Sequence, residues 1–203
     1  MAHDYEVRSS EVVYQGAVFA LRRDGVTMPG GGTKIREVVD HPGAVGIVAL
    51  DEQERVVLIK QYRHAVGEAL WELPAGLLDV ADEPAVRAAQ RELAEEVGLT
   101  AGRWDLLVEA YSSPGMSNEA TRIYLARDLS QSTRQHEAAE DEEADLVVER
   151  VPIDEAVVRV ASGGITNAMA VIGILATLHA RGKGYERLRD VNAAWPARPR
   201  AAG

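Results

Sequence analysis

The chain has 203 residues, of which 46% are hydrophobic and 27% are charged, and its formal net charge is −10. This composition predicts one globular domain, or one domain with a small added sheet. The acidic charge disfavours binding to nucleic acid, and the absence of cysteine excludes disulfides and thiol chemistry. A chain without cysteine suits a reducing cytoplasm, where we expect this protein.

The first forty-two residues have the pattern of β-structure. Apolar residues alternate loosely between Val12 and Leu21, residues 28–33 predict a turn, and residues 35–39 predict a further strand. The apolar faces are too small to form an independent core. We therefore treat residues 1–42 as a β-sheet segment that packs on another surface.

Apolar runs dominate the next part of the chain. Residues 44–50 and 56–62 are separated by a polar stretch and predict a core hairpin. A short strand over 70–73 ends at Pro74-Ala75-Gly76, where the backbone must turn. The remaining predicted elements are a helix over 84–97, strands over 106–111, 121–126 and 147–151, and helices over 153–161 and 166–181.

Short strands interleaved with helices indicate an α+β (mixed α/β) fold. We expect the main domain to span residues 43–184. Its longest apolar stretch, 168–178, is too short to cross a bilayer, so we expect no membrane association. Residues 185–203 carry Arg, Pro and Ala without periodicity and are expected to form a disordered tail.

Three glutamates share one face of the helix predicted over 84–97. At 3.6 residues per turn, Glu92, Glu95 and Glu96 cluster beside the apolar face. Their mutual repulsion and their place near the helix C-terminus disfavour this arrangement. A solvated acidic face is the plain interpretation, whereas a divalent cation would turn the repulsion into attraction, and oxygen ligands favour Mg²⁺ or Mn²⁺.

The residues that flank these glutamates favour a metal site. The segment resembles the Nudix box, Gly-x5-Glu-x7-Arg-Glu-apolar-x-Glu-Glu-x-Gly-apolar. The matching residues are Gly76, Glu83, Arg91, Glu92, Leu93, Glu95, Glu96, Gly98 and Leu99. One departure exists, because residues 77–82 add one residue to the loop before the helix. The spacing of the three glutamates is unaffected.

The resemblance implies a fold and a set of metal ligands. Nudix proteins are α/β/α sandwiches around a mixed sheet. By resemblance, Glu92 and Glu96 bind the catalytic metals, which we expect to be Mg²⁺ or Mn²⁺. Glu95 is implied as a further ligand or a catalytic helper, and the carbonyl of Ala75 as a ligand at the strand-to-helix turn.

The implied reaction is the attack of water on a diphosphate. Arg91 is expected to orient the carboxylates, and Glu83 to pair with Arg91. In the branch of the family described next, a glutamate on a loop after the strand pair takes the proton from water. Within the acidic stretch 134–145, Glu143 is our first choice for this base and Glu142 the second.

A second stretch of sequence points to one branch of the family. Residues 113–119 form a Ser-Pro-Gly loop closed by a glutamate. An ordinary turn is the plain interpretation of this loop alone. Together with residues 58–63 and 71–76, it resembles the ADP-ribose pyrophosphatase branch. The branch implies hydrolysis of ADP-ribose to AMP and ribose 5-phosphate.

The branch also implies which residues contact the substrate. Its N-terminal strands typically exchange across a two-fold axis, so we expect a homodimer in which residues 1–42 help to build the partner's site. The expected contacts are Ser113, Pro114, Gly115 and Glu119 along the terminal ribose, Arg63 on a phosphate, Arg36 and Glu37 near the adenosine half, Val18 and Phe19 in trans, and Leu77.

Two alternatives remain open from the sequence. One is a Nudix hydrolase for another nucleoside diphosphate derivative, such as GDP-mannose, an NAD-type dinucleotide or an oxidised nucleotide. The other is a binding module that senses ADP-ribose without cleaving it. Such modules tend to lose carboxylates of the box, and all three glutamates are retained here. We therefore expect an enzyme.

Overall fold

The computed structural model describes residues 5–132 and 146–199. Within them the chain forms two units, which we call the N-terminal unit and the main unit. The N-terminal unit contains residues 5–43, 111–120 and 197–199. The described residues of the main unit are 44–110, 121–132 and 146–196.

The N-terminal unit is built on an antiparallel sheet of β1 (Val7–Gln15), β2 (Ala20–Thr27) and β3 (Thr33–Asp40). The predicted turn between β2 and β3 is confirmed, with Gly31 and Gly32 at φ 81° and 78°. The alternation from Val12 to Leu21 is not one strand. A turn interrupts it where the amide of Gly16 donates to the carbonyl of Phe19 at 2.9 Å.

A buried charge network fixes the loop 111–119 to β3. Arg22 contacts the carboxylates of Asp24 and Asp40, each at 3.0 Å. The side-chain amide of Asn118 donates to Asp40, and the backbone amide of Val39 donates to Met116 at 2.8 Å. The Ser-Pro-Gly loop therefore belongs to the N-terminal unit.

Two sheets form the centre of the main unit. One has the order β7-β4-β9-β8 and is mixed, because β4 and β9 are parallel; the other has the order β10-β5-β6 and is antiparallel. The strands are β4 (Ala44–Ala49), β5 (Arg55–Arg63), β6 (Glu68–Glu72), β7 (Ala75–Leu77), β8 (Leu99–Tyr111), β9 (Ala120–Gln131) and β10 (Val147–Pro152).

The predicted core hairpin of residues 44–50 and 56–62 is wrong. β4 pairs with β7 and β9, whereas β5 pairs with β6 and β10, so the two strands lie in different sheets. A bridge between Leu50 and Val56 is where they meet. Because both runs are apolar on both faces, the sequence shows that they are buried but not which strands they pair with.

In the part of the chain that the structure describes, three helices cover the sheets: α1 (Ala85–Val97), α2 (Ile153–Ala161) and α3 (Ala168–Arg181). Gly98 ends α1 in the left-handed region that glycine readily adopts. At the other end of α1, Pro84 occupies the N-cap position and makes no side-chain cap hydrogen bond. No helix in the described parts of the chain is long and apolar enough to span a membrane.

The core explains why α1 and α3 lie on opposite sides of β4. Val45 and Ile47 belong to the buried cluster that includes α1, whereas Val48 belongs to the cluster that includes α3. This alternation follows from the two-residue period of a strand. The expected α/β/α arrangement around a mixed sheet is thereby confirmed.

The segment after α3 differs from the expected disordered tail. Leu188 packs on the α3 side of the core, and Trp195 packs on the α1 side. The guanidinium of Arg122 lies 4.6 Å from the centre of the Trp195 ring. A single aromatic residue that fills a gap in a core leaves no periodic pattern in a sequence, so the contact could not be read from it.

Candidate active site

The turn between β7 and α1 creates a pocket beside the glutamates of the Nudix box. β7 is only three residues long and pairs with β4, so it holds the backbone of Ala75 against the central sheet. This pocket, which we call the pocket of α1, has a volume of 320 Å³. It is lined by Gln61, Arg63, Ala75, Gly76, Leu77, Asp79, Arg91, Glu92 and Glu96.

Five sequence-predicted site residues therefore line one pocket: Arg63, Ala75, Leu77, Glu92 and Glu96. Gln61 and Asp79 line it as well, although the sequence analysis did not single them out. Their signal was weak. A lone polar residue at the end of an apolar strand or in a loop is usually a solvated side chain.

The backbone of β7 lies directly against two of the carboxylates. The amide of Ala75 donates to the carboxylate of Glu96 at 2.9 Å. A Cβ atom added at Gly76 would overlap the carboxylate of Glu92. This close approach gives a physical reason for glycine at the first position of the box.

Arg91 contacts three carboxylates, two on α1 and one just before it. Its guanidinium contacts Glu92 at 2.7 Å, Glu95 at 3.0 Å and Glu83 at 3.5 Å. Burial lowers the pKa of Arg91, but Glu92, Glu95 and Glu83 outweigh this effect and raise it above its ordinary value. The expected pairing of Glu83 with Arg91 is present.

The donors at this pocket fit a hard divalent cation. Glu92 and Glu96 line the pocket with carboxylate side chains, and Ala75 lines it as well. Among the residues that the structure describes, no three acidic or histidine side chains are grouped so that they could hold a metal ion by themselves. Mg²⁺ needs fewer protein ligands than that, since one or two carboxylates with waters and phosphate oxygens normally hold it.

Arg63 is positioned by a buried carboxylate. Its guanidinium makes two hydrogen bonds to Glu72, at 3.0 and 2.8 Å. The side chain of Glu72 is only 4% exposed, whereas that of Arg63 is 42% exposed. A buried carboxylate with a fork-shaped partner restricts the direction in which the arginine points. The sequence carries one signal for Glu72, a lone charge inside a short apolar run.

The other predicted substrate residues belong to the N-terminal unit. Val18 and Phe19, at the turn after β1, are 48% and 42% exposed. On β3, the guanidinium of Arg36 donates to the backbone carbonyl of Ile35 at 2.9 Å. The carboxylate of Glu37 lies 3.8 Å from the guanidinium of Arg23. Both side chains are exposed.

The Ser-Pro-Gly loop is a tight turn. The carbonyl of Ser113 accepts hydrogen bonds from the amides of Met116 and Ser117, at 3.0 and 2.9 Å. The amide of Glu119 donates to the hydroxyl of Ser117 at 3.0 Å. Pro114 and Gly115 lie within this turn and are exposed. Glu143 and Glu142, the predicted bases, lie outside the described residues.

Comparison with known families agrees with this geometry. The family model of the NUDIX domain matches residues 40–168. The chain belongs to the Nudix hydrolase family. A model described as the nucleoside diphosphate sugar hydrolase N-terminal domain matches residues 5–39. Nudix hydrolases generally need a divalent metal, which suits the oxygen donors around Glu92 and Glu96.

Individual relatives of this Nudix hydrolase are similar over most of its length. An ADP-ribose pyrophosphatase of Mycobacterium tuberculosis is 50% identical over 98% of this chain and 95% of its own. A GDP-mannose pyrophosphatase of Cronobacter sakazakii is 32% identical over 72% of this chain and 78% of its own.

A solved structure supports the fold of this Nudix hydrolase. The crystal structure of an ADP compounds hydrolase superposes with a TM-score of 0.78 and covers 91% of this chain and 98% of its own. Its sequence identity is 21%, so the comparison bears on the fold alone.

Proposed function

We propose that this Nudix hydrolase cleaves ADP-ribose to AMP and ribose 5-phosphate, with Mg²⁺ or Mn²⁺ as its cofactor. The observation that carries the proposal is the placement of Glu92 and Glu96 against the backbone of β7, in a pocket that also contains Arg63. The relative that is 50% identical over nearly the whole chain is named ADP-ribose pyrophosphatase, which supports the choice of substrate.

In this proposal Glu92, Glu96 and the carbonyl of Ala75 hold the metal. When bound, the cation neutralises charge on the phosphoryl oxygens and lowers the pKa of a coordinated water. Glu95 acts as a further ligand or as a helper in proton transfer. Arg91 keeps the carboxylates of Glu92 and Glu95 in place through the contacts described above.

Arg63 binds a phosphate oxygen, and Glu72 orients it. The two hydrogen bonds between these residues fix the plane of the guanidinium, so that less freedom is lost when it binds a phosphate. Glu143 is proposed as the base that takes the proton from the attacking water, with Glu142 as the second choice.

The remaining contacts are proposed to select the ADP-ribose substrate. Leu77 lines the pocket of α1. The other substrate residues proposed are Ser113, Pro114, Gly115 and Glu119 for the terminal ribose, Arg36 and Glu37 for the adenosine half, and Val18 and Phe19. We propose that Val18, Phe19 and Arg36 act across a homodimer. Exposed Tyr14 and Ile35, at 56% and 55%, support a partner surface on this sheet. The proposed setting is the cytoplasm, without nucleic acid.

A panel of substrates tests the proposal. The purified protein is incubated with Mg²⁺ and ADP-ribose, GDP-mannose or an NAD-type dinucleotide, and kcat/KM is measured for each. We expect ADP-ribose to be preferred by about ten-fold or more. Equal or better turnover of GDP-mannose, the substrate in the name of one relative, would overturn the choice of ADP-ribose. Tight binding of ADP-ribose without turnover would instead indicate a sensor.

A further inference from the structure

A second pocket in the main unit shares no residue with the pocket of α1. It lies between the C-terminal half of α3, the edge strand β8 and the segment 183–188, and its volume is 590 Å³. Pockets that bind small organic ligands are typically about 300–1,000 Å³. The nine lining residues are five apolar ones and four that carry a charge or an imidazole.

The lining of this pocket is part apolar and part polar. Leu107 and Val108 of β8 and Ala176 and Ala180 of α3 provide apolar surface, together with Leu188. The polar lining comes from His179, Lys183, Glu186 and Arg187, all of which are exposed. The pocket therefore combines an apolar patch with two basic side chains, one carboxylate and one imidazole.

The two cations stand out because they lack partners among the residues that the structure describes. Lys183 and Arg187 form no ion pair and no side-chain hydrogen bond with any residue in 5–132 or 146–199. The arginines on either side of them in sequence are paired: Arg181 contacts Asp154 at 2.5 Å, and Arg189 contacts Glu109 at 3.0 Å. In a chain of net charge −10, carboxylates are plentiful, yet none of those in the described ranges pairs with these two cations.

The segment that carries the cations is held in a defined shape. Tyr185 anchors its middle, since the guanidinium of Arg127 lies 4.5 Å from the ring centre and the phenol donates to Glu54 at 3.3 Å. Beyond it, Leu106 and Arg189 form a backbone bridge. Tyr185 and Arg187 both have positive φ, at 58° and 63°. Strained residues of this kind persist where the surroundings impose them.

We propose that this pocket binds a small organic anion that joins an apolar body to a phosphate or carboxylate. Lys183 and Arg187 bind the anionic group, and the body covers Leu107, Val108 and Ala176. Glu186 opposes the anion but accepts a hydrogen bond from a hydroxyl or amino group. The chemistry requires both halves of the ligand, because apolar contact and exposed charge are each weak alone.

The test uses 1-naphthyl phosphate as the probe, with 1-naphthol and inorganic phosphate as its two halves. Binding to the full-length protein is measured by calorimetry and fluorescence in EDTA, which keeps metal-dependent binding at α1 out of the signal. We expect the joined probe to bind about ten-fold or more tightly than either half. Equal binding of 1-naphthol alone would overturn the proposal, because the cations would then have no role.

Variants locate the binding. Lys183→Gln with Arg187→Gln should weaken probe binding by about ten-fold, and Glu186→Gln should strengthen it by about two- to three-fold. The matched control, Arg103→Gln with Arg150→Gln, removes the same charge elsewhere and should leave binding unchanged. Ala176→Phe fills the apolar floor without changing charge and should also abolish binding.

Three results would contradict the proposal. The first is an unchanged affinity in the Lys183 and Arg187 double variant whose thermal unfolding matches the wild type. The second is an equal loss of affinity in the control variant, which would indicate diffuse electrostatics. The third combines two observations: the wild type does not bind the probe, and it sediments as a dimer that the double variant does not form. The pocket would then be an interface between copies of this chain.

Discussion

Arg91 on α1 and Arg159 on α2 each centre a network of ion pairs, and the network of Arg91 also lines the pocket that contains Glu92 and Glu96. Arg91 on α1 contacts three carboxylates, and Arg159 on α2 contacts two, Glu149 at 2.8 Å and Glu155 at 2.6 Å. The pKa of each arginine is raised above its ordinary value by its carboxylates. A perturbed pKa therefore does not identify the active site by itself.

The backbone makes the difference between the two networks. At Arg91, a glycine brings the chain against Glu92, and an amide of β7 binds Glu96. At Arg159, the carboxylate of Glu149 lies on β10 and that of Glu155 lies one helical turn before the arginine on α2. These contacts form an ordinary surface network. Oxygen donors on a rigid backbone can select a cation, whereas surface ion pairs add a little stability.

The largest expected effect comes from a carboxylate of the pocket. Glu96→Gln should lower kcat for ADP-ribose by roughly a hundred- to a thousand-fold and leave the fold intact, because it removes a proposed metal ligand and keeps the shape. The matched change on the other network, Glu149→Gln, should keep wild-type kcat. Steady-state kinetics with circular dichroism checks both. A Glu96→Gln enzyme with normal kcat would remove Glu96 from the site.

A smaller effect is expected from the glycine that lies against Glu92. Gly76→Ala should lower kcat by about a hundred-fold, since the added Cβ displaces the Glu92 carboxylate. Gly30→Ala is the control, because a Cβ there meets nothing within 4 Å and the residue lies in a surface turn. If the two alanine variants have the same kcat, the close approach at Gly76 has no bearing on catalysis.

The buried partner of Arg63 should have a smaller effect still. Glu72→Gln keeps the size of the side chain but loses its charge, so Arg63 is less well oriented and KM for ADP-ribose should rise by about ten-fold with little change in kcat. Glu68→Gln, on the exposed end of the same strand, should change neither constant. A loss confined to kcat would show that Glu72 does not act by positioning a substrate-binding group.

The smallest effect is one of stability and its pH dependence. Hydrogen bonds from Arg159 lower the pKa of Glu149 below its ordinary value. A carboxylate with a lowered folded-state pKa stabilises the fold above its unfolded pKa, and this contribution is lost as the pH falls through the folded value. Glu149→Gln should cost about 0.5 kcal/mol at pH 7, discounted for surface screening.

Urea unfolding at several pH values checks this contribution. The stability difference between wild type and Glu149→Gln should shrink towards zero as the solution is acidified. A difference that stays constant from neutral to strongly acid pH would show that the ion pair is not its source.

The sequence predicted those parts of the molecule that depend on local patterns. The glutamates of α1 have a fixed spacing on a helix, and Gly98 has the conformation that a helix end requires. The separation of β4 and β5 into different sheets could not be predicted, because strand pairing depends on distant segments. The orientation of Arg63 by Glu72 depends in the same way on which strands are neighbours.

The most direct test of the central claim is Mn²⁺ binding at Glu92 and Glu96. The loss of the free Mn²⁺ signal in electron paramagnetic resonance is followed with a methylene-bridged ADP-ribose analogue present, so that no turnover occurs. Wild type and a Glu149→Gln, Glu155→Gln control should bind the ion equally. Glu92→Gln with Glu96→Gln should weaken binding by about ten-fold or more. Equal binding in all three proteins would contradict the assignment of the metal to these two glutamates.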